Sequence, residues 1–133
     1  YSDLPPQLRQ NRIREWLNFV GLSNAANKRV RTFSFGMKQR LALAGALLVE
    51  PALLILDEPF VGLDPLGCEE TKALLRKLCA DRGTAILFSS HQLTEVEDLA
   101  DEIMVLAGGT IRFYDTYAAI KVQQASLIDL LRD

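Results

Sequence analysis

The chain has 133 residues, of which 49% are hydrophobic and 24% are charged, and its formal net charge is -2. This size and balance suit one folded domain, and the charge gives no electrostatic reason to expect nucleic acid or an anionic membrane surface as the main partner. No signal peptide pattern stands at Tyr1, and the longest apolar run, residues 41–49, is far shorter than the roughly 20 residues of a membrane-spanning helix. We therefore expect that the chain does not cross a membrane by itself. Cys68 and Cys79 lack CxxC spacing and are expected to be free thiols.

The first predicted element is an amphipathic helix that opens at Pro5 and Pro6. Its apolar positions recur at helical spacing: Ile13, Trp16, Leu17 and Val20. Gly21 is placed to end this helix, and residues 23–31 are polar enough for a short helix and loop. The apolar stripe predicts a contribution to the core rather than a ligand site.

A second helix is predicted after Thr32, continuing through the apolar run to Val49. Ser34 is a natural N-cap, and Gly36 allows close approach of another group to the backbone. Because the first amide groups of a helix have no partners inside it, this entrance can receive an anion such as a phosphate. The alternative is a capped core helix with solvated basic residues.

The stretch from Leu53 to Pro59 is the centre of the pattern, because four apolar residues lead directly into Asp57 and Glu58. The apolar run suits a parallel strand that is covered on both faces, and ligands of such sheets bind beyond the carboxyl ends of the strands. Neighbouring carboxylates on a strand point in alternate directions, so one can face a metal ion and the other a reacting water. The alternative is an acidic pair that ends a core strand and meets solvent.

Asp64 and Pro65 predict the start of a third helix, which should run to about Cys79. Residues 84–89 then read as the next parallel strand, joined by a right-handed crossover. His91, the only histidine, follows this strand and would lie on the same rim as the two carboxylates. A lone histidine can equally be a packed or surface residue.

The remaining residues predict three smaller elements. Thr94 and Glu97 match a capping box at the start of a helix. Residues 103–106 and 110–114 form two apolar runs joined through glycines, as in a hairpin. The tail, residues 117–133, is predicted to be helical.

Taken in order, these stretches resemble the nucleotide-binding domain of an ABC transporter over roughly residues 8–116. Four matches carry the resemblance: Phe33-Ser34-Phe35-Gly36-Met37 in the place of the LSGGQ signature, residues 53–57 followed by Glu58 as Walker B, residues 62–64 as the D-loop, and His91 as the switch histidine. The sequence GMKQR, residues 36–40, is similar to that found in the antibiotic- and peptide-exporter branch of the family. Phe35 departs from the pattern, since the signature usually has its first glycine there.

The resemblance implies an α/β fold: a three-layer parallel sheet like that of P-loop NTPases, with an amino-terminal helical subdomain. It implies a helical part over 1–50, an ATPase-core part over 51–116 and a carboxyl-terminal helix over 117–133. No GxxxxGK[ST] phosphate loop is present. The sheet is therefore expected to be incomplete, without the phosphate-loop strand and with an exposed flank. The chain is expected to be the carboxyl-terminal part of a longer domain and inactive alone.

The resemblance also implies ATP and Mg²⁺ as cofactors and assigns roles to single residues. Asp57 would hold Mg²⁺, and Glu58 and His91 would be catalytic. The signature residues Ser34, Phe35, Gly36 and Met37 would contact ATP bound to a second copy of the domain, and Asp64 would act across that dimer interface.

The implied protein is an ATP-hydrolysing transport subunit, in an exporter, at the cytoplasmic face of the plasma membrane. Its implied partners are transmembrane permease subunits and a second nucleotide-binding domain in a head-to-tail dimer, with no nucleic acid. Two alternatives stay open: an ABC ATPase of DNA repair or translation, and a non-catalytic binding module.

Overall fold

The computed structural model describes residues 3–122, Ile128 and Arg132. The chain divides into two compact units, Tyr1–Ser89 and Ser90–Asp133. The three-part division with boundaries after residues 50 and 116 stays a prediction. Among the described residues, no helix has both the length and the apolar character that a membrane span needs.

The first unit combines helices with two strands. In chain order its elements are α1 (Pro6–Phe19), two 3-10 helices (Ser23–Ala25 and Val30–Thr32), α2 (Phe35–Leu47), β1 (Leu53–Leu56), α3 (Pro65–Arg82) and β2 (Ala85–Phe88). Trp16 of α1, Leu47 of α2 and Leu78 of α3 are all buried, so the three helices contribute to the core of this unit. The predicted helices and the short helical turns after Gly21 are confirmed.

Charged side chains join α3 to α1. The Arg82 guanidinium lies over the Trp16 ring, 4.7 Å from its centroid, and also pairs with Glu15. Lys77 lies 5.2 Å from the centroid of the Phe19 ring. Such cations over aromatic faces are stabilised by the ring quadrupole, and they fix the carboxyl-terminal half of α3 against α1.

Strands β1 and β2 are parallel, as predicted, and their register brings their carboxyl ends together. Leu53 pairs with Ala85, and Leu56 pairs with Phe88. The strands form a two-stranded sheet, in agreement with the predicted incomplete sheet. The residues that follow Leu56 and Phe88 therefore leave the sheet at the same edge.

The expectation that β1 is covered on both faces is wrong for this chain. Leu54 is buried at 4% exposure, but Leu53 and Ile55 on the opposite face are 51% and 67% exposed. Leu87 of β2 is also exposed. Apolar side chains on alternate faces of a strand need a layer on each side, and within the described residues only one side of this sheet has such a layer.

The second unit is a hairpin packed by two short helices. Its elements are α4 (Leu93–Leu99), β3 (Glu102–Ala107), β4 (Thr110–Thr116) and α5 (Tyr117–Val122). β3 and β4 are antiparallel, as the two apolar runs predict, with an irregularity between Val105 and Leu106. Ile103 and Ile120 form the buried centre of the unit.

The helices of this unit differ from the prediction at α4 and agree with it at α5. The capping box at Thr94 and Glu97 is wrong, because the N-cap is Gln92, two residues before Thr94, and α4 begins at Leu93. Helix α5 confirms the start of the predicted carboxyl-terminal helix. The rest of that prediction falls on residues 123–133, which apart from Ile128 and Arg132 lie outside the described residues.

Candidate functional site

Ser89, at the end of β2, bonds to both acidic residues at the end of β1. The Ser89 backbone N–H donates to the Leu56 carbonyl at 3.0 Å, which extends the strand pairing by one step. The Ser89 Oγ then donates to Asp57 Oδ1 at 2.7 Å and accepts from the Glu58 backbone N–H at 2.9 Å. One hydroxyl thus contacts both residues that were predicted to face the metal and the water.

Glu58 has an unusual backbone conformation. Its φ of 48° lies in the left-handed region, which residues with a Cβ rarely adopt. The chain turns directly afterwards, with the Val61 N–H donating to the Glu58 carbonyl at 3.3 Å. Phe60 is buried and packs edge to face against Phe88, with ring centroids 6.0 Å apart. The turn after Glu58 is thereby anchored on β2, while Asp57 stays exposed and Glu58 half-buried.

The predicted helix entrance at Ser34 has the geometry of an N-cap. Ser34 has an extended backbone, and its Oγ accepts from the Met37 N–H at 3.2 Å. This bond uses one of the amide groups that have no partner inside the helix. The amide groups of Phe35 and Gly36 precede it at the positively polarised end of α2.

The predicted D-loop residue Asp64 caps α3. Its Oδ1 accepts from the Gly67 N–H at 2.7 Å, and Pro65 occupies the first helical position, as expected. A methyl group placed on Gly67 would lie 2.8 Å from Asp64 Oδ1. The close cap therefore depends on a glycine at residue 67.

The structure brings the signature stretch and the D-loop stretch into contact. Gly62 has a φ of +83°, and a methyl group placed on it would lie 2.9 Å from Cε1 and 3.0 Å from Cζ of Phe35. A methyl group placed on Gly36 would lie 3.8 Å from Cδ2 of Leu63. Phe35 is 53% exposed, so one part of its ring rests on the D-loop backbone and the rest faces outward. Sequence reasoning did not foresee this contact.

His91 lies in the second unit, in the exposed loop before α4. The adjacent Ser90 organises this loop, because its Oγ accepts from the Gln92 N–H at 3.0 Å. Ser90 Oγ also lies 3.5 Å from Glu95 Oε2, and Glu95 is buried. The role predicted for His91 toward the carboxylates of the first unit stays a prediction.

The carboxylates have the chemistry that Mg²⁺ requires, although they do not form an all-protein cage. Mg²⁺ is bound in nucleotide enzymes through one or two carboxylates together with waters and phosphate oxygens. Asp57 is exposed and has a second oxygen besides the one that Ser89 contacts. Within residues 3–122, Ile128 and Arg132, no group of three or more His, Cys, Asp or Glu side chains could hold a metal. One exposed carboxylate with a second oxygen is chemically suited to a metal ion whose other ligands are water and phosphate oxygens.

Ser89 is the residue of this rim that sequence reasoning missed. The available signal was its place directly after the second apolar strand, at the same edge as Asp57. The register of β1 and β2, which was not predicted residue by residue, is what sets Ser89 opposite the carboxylates.

A parallel strand that ends in two acidic residues, in a chain that also has a capped helix entrance, is what a nucleotide-binding α/β domain is expected to contain. The family model described as ABC transporter matches residues 6–61. The ABC transporter ATP-binding protein YdbJ of Bacillus subtilis is 41% identical over 112 residues, which are 84% of this chain and 36% of the relative. The bacitracin transport ATP-binding protein BcrA of Bacillus licheniformis is 47% identical over 103 residues, 77% of this chain and 34% of the relative.

Solved structures agree with these relatives. The structure of cbiO1 from Clostridium perfringens, part of the ABC transporter complex cbiONQ, has a TM-score of 0.83 and 31% identity. The match covers 98% of this chain and 50% of that one. The chain belongs to the ABC transporter ATP-binding family, and its fold is the incomplete P-loop NTPase-like fold that was predicted. It spans about a third of the length of these curated relatives.

Proposed function

We propose that the complete protein containing this chain is the ATP-hydrolysing subunit of an ABC transporter. The observation that carries the proposal is the Ser89 hydroxyl at the end of β1, which bonds to the Asp57 carboxylate and to the Glu58 backbone N–H in a chain of this family. Phosphoryl transfer requires little covalent chemistry from a protein, so positioning and charge neutralisation are its main contributions. In this proposal the fixed Asp57 carboxylate and the fixed Glu58 backbone at the rim of the parallel sheet supply both.

Each carboxylate has a distinct role in this proposal. Asp57 helps to hold Mg²⁺, commonly through water, and the metal when bound neutralises charge on the phosphates. Glu58 accepts a hydrogen bond from the attacking water and polarises it. His91 contacts the γ-phosphate and keeps Glu58 and the water in register. The left-handed conformation of Glu58 supports its role, because strained backbone is found preferentially at functional sites.

The amino-terminal end of α2 contacts ATP that is bound to a second nucleotide-binding domain in a head-to-tail dimer. Ser34, Phe35, Gly36 and Met37 close over its γ-phosphate. The contacts come chiefly from the Phe35 and Gly36 amide groups and the positive end of the helix, because the Met37 N–H bonds to Ser34 Oγ. The Phe35 ring rests against Gly62, so the bulky residue can keep its side chain on the D-loop while offering its amide. Asp64 acts across the same interface, beside its role as the cap of α3.

The complete protein is proposed to work with transmembrane permease subunits at the cytoplasmic face of the plasma membrane. The bacitracin transport relatives from Bacillus licheniformis and Enterococcus faecalis, each 47% identical, favour the exporter branch. The proposal requires a GxxxxGK[ST] loop, with its backbone cradle and lysine, in the coding region upstream of Tyr1. A reading frame without that motif would overturn the enzyme proposal.

The Glu58→Gln variant of the complete protein tests the catalytic role. The amide keeps the size of the side chain but removes the charge that polarises water, so we expect phosphate release to fall by about 100-fold or more. ATP binding, measured with a fluorescent analogue, should remain.

Glu70→Gln is the matched control, because Glu70 is an exposed glutamate of α3 that has no role in the proposed site. It should leave turnover unchanged. Turnover of Glu58→Gln near that of the wild-type protein would contradict the role of Glu58.

A further inference from the structure

Ser89 makes three hydrogen bonds at the end of the sheet. One is to Leu56 of β1, and the other two are to the residues that follow β1. Its backbone N–H bonds to the Leu56 carbonyl, and its Oγ bonds to Asp57 Oδ1 at 2.7 Å and to the Glu58 N–H at 2.9 Å. The side-chain contacts are not part of the strand pairing. They fix the two residues that follow the strand.

The chemistry of these groups allows a single arrangement of the hydroxyl. A serine hydroxyl has one hydrogen to donate and two lone pairs that accept. An ionised Asp57 carboxylate only accepts, and the Glu58 N–H only donates. The hydroxyl hydrogen must therefore point to Asp57 while a lone pair points to Glu58. Since the acceptor is ionised, the bond to Asp57 is of the stronger, charge-assisted kind.

The same hydroxyl supports the strained residue. Glu58 adopts a left-handed backbone conformation, which persists only where surrounding contacts stabilise it. The bond from its N–H to Ser89 Oγ is such a contact. Losing it would leave the direction of the Glu58 side chain less well defined.

We propose that Ser89 is a positioning residue that sets the Asp57 carboxylate and the Glu58 backbone in one working geometry. The proposal rests on the proposed function for what Asp57 and Glu58 do. Groups that orient a metal ligand through a hydrogen bond typically contribute about 10- to 100-fold to metal affinity or activity. Ser89 would act at this level without touching ATP or Mg²⁺.

The first test is amide hydrogen exchange in the complete protein without nucleotide or metal. Ser89→Ala should speed exchange at the Glu58 amide by roughly 3- to 10-fold, the equivalent of one net hydrogen bond. Ser89→Thr keeps the hydroxyl and should preserve the protection. Ser23→Ala is the control, because Ser23 is exposed in the first unit and its Oγ bonds only to Asn18 among the described residues. Unchanged exchange at Glu58 in Ser89→Ala would overturn the proposal.

The second test is steady-state phosphate release with Mg²⁺ titrated. Ser89→Ala should lower kcat by about 10- to 100-fold and raise the Mg²⁺ concentration for half-maximal rate by several-fold. The KM for ATP should change by less than about twofold, and Ser89→Thr should restore kcat and the Mg²⁺ requirement. Wild-type values of kcat and Mg²⁺ requirement in folded Ser89→Ala would show that Ser89 only stabilises the strand ends, and would overturn the proposal.

The two tests separate this proposal from the proposed function. If the wild-type complete protein releases no phosphate, the proposed function fails, and the exchange rate at the Glu58 amide alone decides whether Ser89 fixes the Glu58 backbone. If wild-type protein is active, both readouts must change in Ser89→Ala for the proposal to stand.

Discussion

Replacing Gly62 by alanine tests the contact between the signature stretch and the D-loop. The new methyl group introduces two costs. A residue with a Cβ at a φ of +83° is strained by roughly 1–2 kcal/mol. The methyl group would also lie 2.9 Å from Cε1 of Phe35, so the ring must turn away.

The second cost is the smaller one, because the atoms in the way belong to the far edge of a half-exposed side chain. Displacing the ring into a less favourable rotamer costs about 0.5–1.5 kcal/mol. We therefore expect Gly62→Ala to lower the free energy of unfolding by about 1.5–3.5 kcal/mol in total.

Gly83→Ala is the matched control. Gly83 also has a positive φ, +66°, at the end of α3, but a methyl group there would meet no atom within 4 Å. In this variant the free energy of unfolding should fall only by the roughly 1–2 kcal/mol that the backbone strain costs. The difference between the free energies of unfolding of the two variants measures the cost of displacing the Phe35 ring.

Urea unfolding of the 133-residue chain, followed by fluorescence, gives these values. Trp16 is the only tryptophan and is 2% exposed, so its emission reports loss of the first unit's core. In a Phe35→Ala background the cost of Gly62→Ala should fall to that of Gly83→Ala. Equal costs of the two glycine variants in the wild-type background would refute the contact between Phe35 and Gly62.

Two further predictions concern single hydrogen bonds. Ser34→Ala removes the cap on the Met37 N–H and should lower the free energy of unfolding by about 0.5–2 kcal/mol. The Ser23→Ala control should change it by less than about 0.5 kcal/mol. Equal urea midpoints for the two variants would contradict the cap. The Tyr114 hydroxyl donates to Glu102 Oε1 at 2.9 Å, and this bond, with the adjacent negative charge of Glu102, raises the pKa of Tyr114 above its usual value. Because the folded chain favours the neutral phenol, the stabilisation should be complete below the usual tyrosine pKa of about 10 and be lost as pH rises through the raised pKa. An NMR titration should show the pKa of Tyr114 falling in Glu102→Gln, and an unchanged midpoint would disprove the interaction.

Local sequence rules predicted the parts of the fold that local chemistry determines. The caps at Ser34 and Asp64 follow from a side-chain oxygen within reach of an amide three residues later. The apolar run before Asp57 is a strand because its length and composition suit one. Thr94 was misread because Ser90 already turns the preceding backbone, so that Gln92 takes the capping position.

Those local rules could not predict contacts between residues that are distant in the sequence. Ser89 meets Asp57 only because β1 and β2 adopt a particular register across a long connection. Phe35 meets Gly62 because the entrance of α2 and the D-loop come together in space. Ile55 is exposed because no layer covers its face of the sheet among the described residues, and the apolar character of the residue does not predict this exposure.

The most direct test of the account compares this chain with the complete protein in one phosphate-release assay containing ATP and Mg²⁺. Asp57 and Glu58 supply the metal and water side of the proposed site, and the chain contains no GxxxxGK[ST] loop to hold the phosphates. We expect phosphate release from the complete protein and none above background from the 133-residue chain. Mg²⁺-dependent release by the 133-residue chain alone, or none from the complete protein, would contradict the account.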